Sequence, residues 1–240
     1  RGAGSQPVTV EIFDAGDALV RRYSSADVPA AMDLKRLGTA PEWFTTPSTV
    51  SAAPGMHRFV WPLHYQAPAG VTGRRGGGGG AFADGIWAPP GDYKVVLTVN
   101  GQKLTQPLTV VPDPRVNLPA SAYAEQFALA REVEQTRASL AAALTEAAAF
   151  VKRTDISEAL RRKAVEVSGT ISGDDFTAPP PSESSIRFIN LALGKLANAI
   201  DSADAAPTPD ARASWAKLKP AADVALAAWA GVKGEAGGGK

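Results

Sequence analysis

The sequence contains no cysteine, only two histidines and no long apolar run. The absence of cysteine excludes disulfides, thiolate catalysis and zinc or iron–sulfur sites built on cysteine. No apolar stretch approaches the roughly 20 residues that a membrane-spanning helix needs. No signal peptide is visible either. Because the chain begins with Arg1 rather than Met, we expect a processed product or a fragment, which has lost either an export signal or an upstream domain.

The charges give no excess of either sign. Lys and Arg number 25 against 24 Asp and Glu in a chain of 240 residues. Such a balance offers no electrostatic reason to expect nucleic acid or an anionic membrane as a partner. The hydrophobic share of 45% is that of a globular protein with a real core, and the length suffices for two ordinary domains.

The clearest structural pattern lies in residues 88–115. Alternation of apolar and polar residues from Tyr93 to Val99 predicts a strand with one face on a core. Asn100-Gly101 is the strongest short hairpin sequence, because a type I′ turn needs positive φ at both central residues. Pro107 predicts that the returning strand lies at a sheet edge or carries a bulge.

Earlier segments predict further strands. Residues 7–13 and 18–24 form a second predicted hairpin, in which Arg21 and Arg22 are expected to be largely solvated. Residues 55–65 predict another strand, and one of its faces is expected to carry His57, Phe59, Trp61 and Leu63. We therefore predict an Ig-like antiparallel β-sandwich over residues 1–114, with five or six strands and a glycine-rich insertion at 66–85.

The pattern changes to helical spacing over residues 115–240. Apolar residues recur every three or four positions from Tyr123 to about Val151, which predicts an amphipathic helix of roughly eight turns. A second helix is predicted from a cap at Thr154 or Asp155, a third over 182–201, and a fourth from Thr208 with a kink at Pro220. This half is predicted to be an antiparallel bundle of three or four helices with a frayed glycine-rich tail.

Residues with catalytic potential occur without the spacing that catalysis needs. His57 and His64 are separated by an odd offset, which would place them on opposite faces of a regular strand. Arg74, Arg75 and the five glycines that follow lack the Lys-Ser/Thr pair of a phosphate-binding loop. Nothing fixes a glycosidase geometry for Asp174 and Asp175. We predict no catalytic residue, no metal site and no cofactor.

Contact residues are easier to nominate than catalytic ones. Trp43, Trp61 and Trp87 could form a sugar-stacking surface, although packing in the sandwich core is the plainer interpretation. Arg74 and Arg75 could anchor the glycine-rich loop against a partner. These five residues are the predicted partner or glycan contacts.

Four segments together resemble a known class of proteins. They are PVTVEIFDAGDALVRRYSS, GMHRFVWPLHY, GIWAPPGDYKVVLTVNGQKLTQPLTVVPDPR and NAIDSADAAPTPDARASWAKLK. The set resembles the C-terminal region of large exported bacterial proteins that carry BNR-repeat or sortilin-type β-propellers and are glycosyl-hydrolase-like. PPGDYKVVLTVNG also resembles the Ig-like domain of flagellar hook-capping proteins.

The resemblance implies an accessory role. In that family the propeller would hold any binding or catalytic site, and this chain shows neither blade repeats nor Asp-box motifs. No catalytic residue carries over. We expect a non-catalytic structural module of the bacterial cell envelope, periplasmic or extracellular, that packs against other subunits or an upstream propeller domain. A carbohydrate-binding accessory module of a secreted glycosidase-like protein is the alternative.

Overall fold

The structure is a computed structural model that describes residues 6–28, 40, 49–71, 84–169 and 181–237. The fold is α+β, with six strands followed by four helices among those residues. The elements are β1 (Thr9–Asp14), β2 (Leu19–Ser24), β3 (His64–Gln66), β4 (Asp84–Trp87), β5 (Gly91–Val99), β6 (Gln102–Val110), α1 (Ala120–Phe150), α2 (Glu158–Ser168), α3 (Ile186–Ile200) and α4 (Pro209–Gly237).

The chain forms two compact units. Unit 1 comprises Arg1–Ala67 and Thr72–Phe127, and unit 2 comprises Pro68–Val71 and Ala128–Lys240. Helix α1 therefore contributes its first two turns to unit 1 and the remainder to unit 2.

Unit 1 is organised by a four-stranded antiparallel sheet in the order β2-β1-β5-β6. The predicted β5–β6 hairpin is confirmed: Asn100 and Gly101 have φ of 51° and 79°, as a type I′ turn requires. The β1–β2 turn is held by Asp14, whose carboxylate accepts hydrogen bonds from the backbone N–H groups of Gly16 and Ala18 at 3.0 and 2.9 Å.

Strand β6 forms one edge of this sheet, as Pro107 predicts, and its pairing with β5 shows no bulge. A two-residue loop makes Val99 and Gln102 a hydrogen-bonded pair, so backbone groups alternate inward and outward along β6. Pro107 falls on an outward position, together with Thr105 and Thr109. The proline therefore removes a donor that would otherwise point away from the sheet.

The two faces of the sheet differ in polarity. The register places Val10 beside Leu97 and Ile12 beside Val95 on one face, which we call the apolar face. Glu11, Lys94 and Thr98 lie on the other face, together with Phe13 and the buried Val96. The apolar face lies towards residues 49–63, where the aromatic rings of Tyr23 and Phe59 meet edge to face at 4.7 Å.

The strand predicted over residues 55–65 is wrong for most of its length. Residues 49–63 form no strand, and only His64–Gln66 pair with another segment. Pro62 cannot donate to a ladder, and Leu63 adopts a φ of 59°, which breaks an extended chain. The indole N–H of Trp61 donates to the carbonyl of His64 at 3.0 Å, so the segment turns back on itself.

The prediction that Arg21 is solvated is also wrong. Its side chain is 2% exposed, and its Nη1 donates to the Asp84 carboxylate at 2.7 Å and to the Tyr65 carbonyl at 3.3 Å. The guanidinium also lies 5.0 Å from the centre of the Tyr23 ring. The guanidinium of Arg21, on β2, thus links the large sheet to β3 and β4. Arg22 is half-exposed, as predicted.

In unit 2 the predicted helical stripes are confirmed for α3 and largely for α1 and α4. The most buried members are Val133, Leu140, Ala147, Ile186, Ile189, Leu193, Leu196, Ile200, Ala222 and Trp229. Trp229 packs edge to face on Phe150 at 5.4 Å and donates its indole N–H to Glu146 at 3.0 Å.

Side-chain oxygens of Ser157 and Thr208 cap the N-terminal turns of α2 and α4. Ser157, rather than Thr154 or Asp155, caps α2 by accepting from the Leu160 N–H. Asp155 instead pairs with Arg153 at 2.6 Å, so the predicted cap is wrong. Thr208 caps α4 with Pro209 in the first position, as predicted.

Removing one member of the Arg21–Asp84 pair should cost more than removing both. We expect Asp84→Ala to lower the free energy of unfolding by about 2–3 kcal/mol, because it leaves a buried cation without its carboxylate. Arg21→Met combined with Asp84→Ala should recover most of that loss. Urea denaturation of the unmodified protein, the two single variants Asp84→Ala and Arg21→Met, and the double variant gives the interaction energy of the pair. Arg22→Met is the matched control and should change stability by less than about 0.5 kcal/mol; an equal loss in Asp84→Ala and the double variant contradicts the interpretation.

Gly169, which ends α2, should not tolerate a side chain. It has a φ of 70°, and a Cβ there would lie 2.7 Å from Ser185 Oγ, the atom that caps α3. We expect Gly169→Ala to destabilise unit 2 by at least about 1 kcal/mol. Gly231→Ala inside α4, where nothing lies within 4 Å of a new Cβ, should instead stabilise by about 0.5–1 kcal/mol. Thermal unfolding followed by circular dichroism at 222 nm compares the two variants. A change in stability of the same sign in both would contradict the different roles of Gly169 and Gly231.

Candidate functional site

Unit 1 contains a groove of about 1010 Å³ between the apolar face of the sheet and residues 49–63. Its floor is formed by strands β1, β5 and β6. Its wall is the irregular segment that carries Val50, Phe59 and Trp61. Ligand-binding clefts in proteins commonly have volumes of several hundred to about a thousand cubic ångströms, so the groove is large enough to accept a segment of polypeptide or a small molecule.

The lining is mostly aliphatic. Val10, Val95 and Leu97 project from the floor, and all three are only half-buried although they lie at the centre of the sheet. On the wall, Val60 is 60% exposed. Leu104 pairs with Leu97 on the same face of the sheet and is 62% exposed. The groove and its border therefore present apolar surface that the described part of the chain does not cover.

Polar side chains also line the groove, among them Thr49, Ser51, His57, Arg58 and Asn100. Ser51 and His57 lie 3.4 Å apart there, through Oγ and Nε2, in an exposed position. The same Nε2 lies 2.8 Å from the carbonyl oxygen of Ala53, and only an N–H can bond to a carbonyl. A nitrogen that carries this proton cannot accept one from Ser51, so the pair is not an activated nucleophile.

The buried tyrosines beside the groove are also inert as acids. Burial raises the pKa of Tyr23 far above its usual value, although the charge of Arg21 opposes the shift. Burial raises the pKa of Tyr93 as well, and its hydroxyl donates to the Pro89 carbonyl at 2.6 Å. The Tyr23 hydroxyl is enclosed and has no hydrogen-bond partner among the described residues. Both phenols therefore stay protonated at any physiological pH.

Of the five predicted contact residues, the structure describes two. Trp61 is half-buried in the groove wall, where its ring meets Tyr93 edge to face at 5.4 Å. Trp87 is 42% exposed and stacks on buried His64 with ring centres 3.8 Å apart. Trp43, Arg74 and Arg75 lie outside the described residues, as do Asp174 and Asp175. A role in binding stays a prediction for all five.

The two histidines occupy different environments. His57 lies on the rim of the groove, whereas His64 is buried and donates from Nδ1 to the Gly85 carbonyl at 2.8 Å. No cluster of three or more His, Asp or Glu side chains that could hold a metal ion occurs within the described ranges.

Sequence reasoning missed the groove because it assigned residues 55–65 to a strand. A strand there would have covered the sheet face and filled the space. The pattern that could have revealed the groove is the unbroken apolar run Phe59-Val60-Trp61 followed directly by Pro62. Such a run has no polar face, and the proline prevents it from continuing as a central strand.

Comparison with known proteins returned no match. No family model matches the chain. No curated protein and no solved structure is significantly similar to it. Among the helices that the structure describes, none has the length and apolar character needed to cross a bilayer.

Proposed function

We propose that this chain is a non-catalytic structural module that binds an apolar segment of a partner protein in the groove of unit 1. The partner would be another subunit, or a propeller domain, of an extracytoplasmic assembly in the bacterial cell envelope. The observation that carries the proposal is the aliphatic groove itself, in which central sheet residues are only partly buried.

The exposure of these aliphatic groups favours a protein partner. Covering apolar surface contributes roughly 25 cal/mol per Å², and exposed patches rimmed by polar groups commonly mark interaction sites. An extended segment directs alternate side chains to opposite sides, so one row of apolar side chains could face Val95 and Leu97 while the other faces Val60. Ser51 and Asn100 on the rim offer hydrogen bonds to its backbone.

The chemistry of the rim supports the absence of catalysis. The Nε2 of His57 is occupied by a carbonyl, and the adjacent tyrosines are held protonated by burial. With its proton on Nε2, His57 cannot accept a proton from Ser51 through that atom, and a protonated phenol is a poor nucleophile.

The proposal includes a finer architecture for each unit. Unit 1 would be an Ig-like β-sandwich in which residues 49–63 and the β3–β4 pair form the second layer over the four-stranded sheet. Unit 2 would be an antiparallel bundle of three or four helices. The apolar residues that face residues 49–63 and the buried stripes of α1, α3 and α4 support this architecture. The resemblance to exported propeller proteins supports the envelope location.

Photo-crosslinking tests the groove. A photoreactive amino acid at position 60, in chain produced by the source bacterium, should crosslink to one protein in nearly equimolar yield. Leu97→Asn should reduce that yield at least about fivefold, because it places an amide on the apolar floor. The matched control carries the same photoreactive residue at Val224, a valine on α4 that is 70% exposed against 60% for Val60. Isolation of a free monomer with no crosslink at position 60 contradicts the proposal.

Carbohydrate binding is the second candidate, and the exposed ring of Trp87 favours it. An indole held by stacking on a buried imidazole is a rigid platform of the kind that sugars stack on. Trp87→Ala should abolish binding on a glycan array while near-ultraviolet circular dichroism shows the fold retained. Val111→Ala removes another exposed apolar group of unit 1, which is 74% exposed, and should leave binding unchanged. Absence of binding to every glycan contradicts this candidate.

A further inference from the structure

Helix α3 carries charge of one sign only. Between Ile186 and Ile200 the charged side chains are Arg187 and Lys195, and the helix contains no Asp or Glu. Both cations are exposed, and the described structure shows no ion pair for either.

Two large apolar side chains are exposed on the same helix. Phe188 is 37% exposed and Leu191 is 57% exposed. At 100° per residue, Arg187, Phe188, Leu191 and Lys195 fall within one arc of about 100°. The opposite arc carries the buried residues Ile189, Leu193 and Leu196. The exposed arc is thus an apolar pair between two cations.

A third cation borders this arc from α1. The guanidinium of Arg137 lies against Gly194, with Nη2 3.5 Å from the place of a Cβ on that glycine. Its Nε is fully enclosed and has no hydrogen-bond partner. No hydrogen bond or close ion pair joins Arg137 to another described residue. Burial lowers the pKa of Arg137, while the charge of Glu134 on the same helix opposes the shift.

A partly buried guanidinium without an acceptor calls for an explanation, because buried donors are normally satisfied. Arginine presents a planar fork that matches a carboxylate in bidentate geometry. Arginine and aromatic residues are also enriched in protein interfaces. The combination on α3 therefore fits an anionic, partly apolar partner.

We propose that the α3 patch, formed by Arg187, Phe188, Leu191 and Lys195 with Arg137 at its border, binds an acidic amphipathic helix of a partner protein. Carboxylates of that helix meet the three cations, and its apolar side chains cover Phe188 and Leu191. Charge complementarity selects this partner. Three cations on one patch are few for nucleic acid or an anionic bilayer, each of which rewards larger basic surfaces.

The proposal is independent of the groove, since every residue of the α3 patch belongs to unit 2. The test uses the full chain and a fluorescent synthetic helix of about 20 residues, built from leucine on one face and glutamate on the others. Binding is followed by fluorescence anisotropy and located by amide and arginine Nε–H NMR signals.

We expect micromolar binding that weakens with salt, with shifts on α3 and at the Arg137 Nε–H. Lys195→Gln and Leu191→Gln, both at exposed positions, should each weaken binding at least about fivefold. Arg137→Gln should weaken it more than Arg137→Lys, since the ammonium keeps the charge without the fork. Arg162→Gln on α2 and Val224→Gln on α4 are matched exposed controls and should change the affinity less than about twofold.

Three results would overturn the proposal. The first is equal binding of a helix in which glutamine replaces every glutamate, which would make the contact purely apolar. The second is binding to phosphatidylglycerol vesicles without binding to the acidic helix, which would assign the patch to a membrane surface. The third is equal loss of affinity in the patch variants and the controls. Circular dichroism of each variant shows whether an affinity loss reflects unfolding.

Discussion

The buried contact between Arg21 and Asp84 is the interaction on which unit 1 depends. It joins an edge strand of the large sheet to β4, and the same guanidinium reaches the carbonyl of Tyr65 on β3. Because a buried charge is costly without its partner, this contact fixes where the two-stranded sheet lies relative to the apolar face. The position of residues 49–63, and hence the width of the groove, follows from that constraint.

The two proposed binding surfaces use different physical chemistry. The groove is aliphatic with a polar rim, and it would gain affinity by removing apolar surface from water. The α3 patch combines cations with two exposed apolar side chains, so its contacts would be sensitive to salt. The two proposed surfaces would therefore select partners of different chemistry.

Local patterns were sufficient for the elements that local chemistry determines. Asn100-Gly101 predicted the hairpin, Thr208-Pro209 predicted the start of α4, and the apolar spacing predicted the buried face of α3. All three predictions are confirmed. The predictions for Arg21 and for residues 55–63 were wrong because the conformations of these residues depend on distant groups. No pattern near Arg21 reveals that Asp84 lies 2.7 Å away, and the groove exists only because a predicted strand does not form.

Pro107 has a consequence for how copies of this protein behave when crowded. Sheet edges that meet can grow into continuous ladders, and each outward N–H is a point of attachment. The proline interrupts those points near the middle of the outward row on β6, and Lys103 adds a charge further along it. The β6 edge therefore offers fewer points at which the sheet of a second copy could attach.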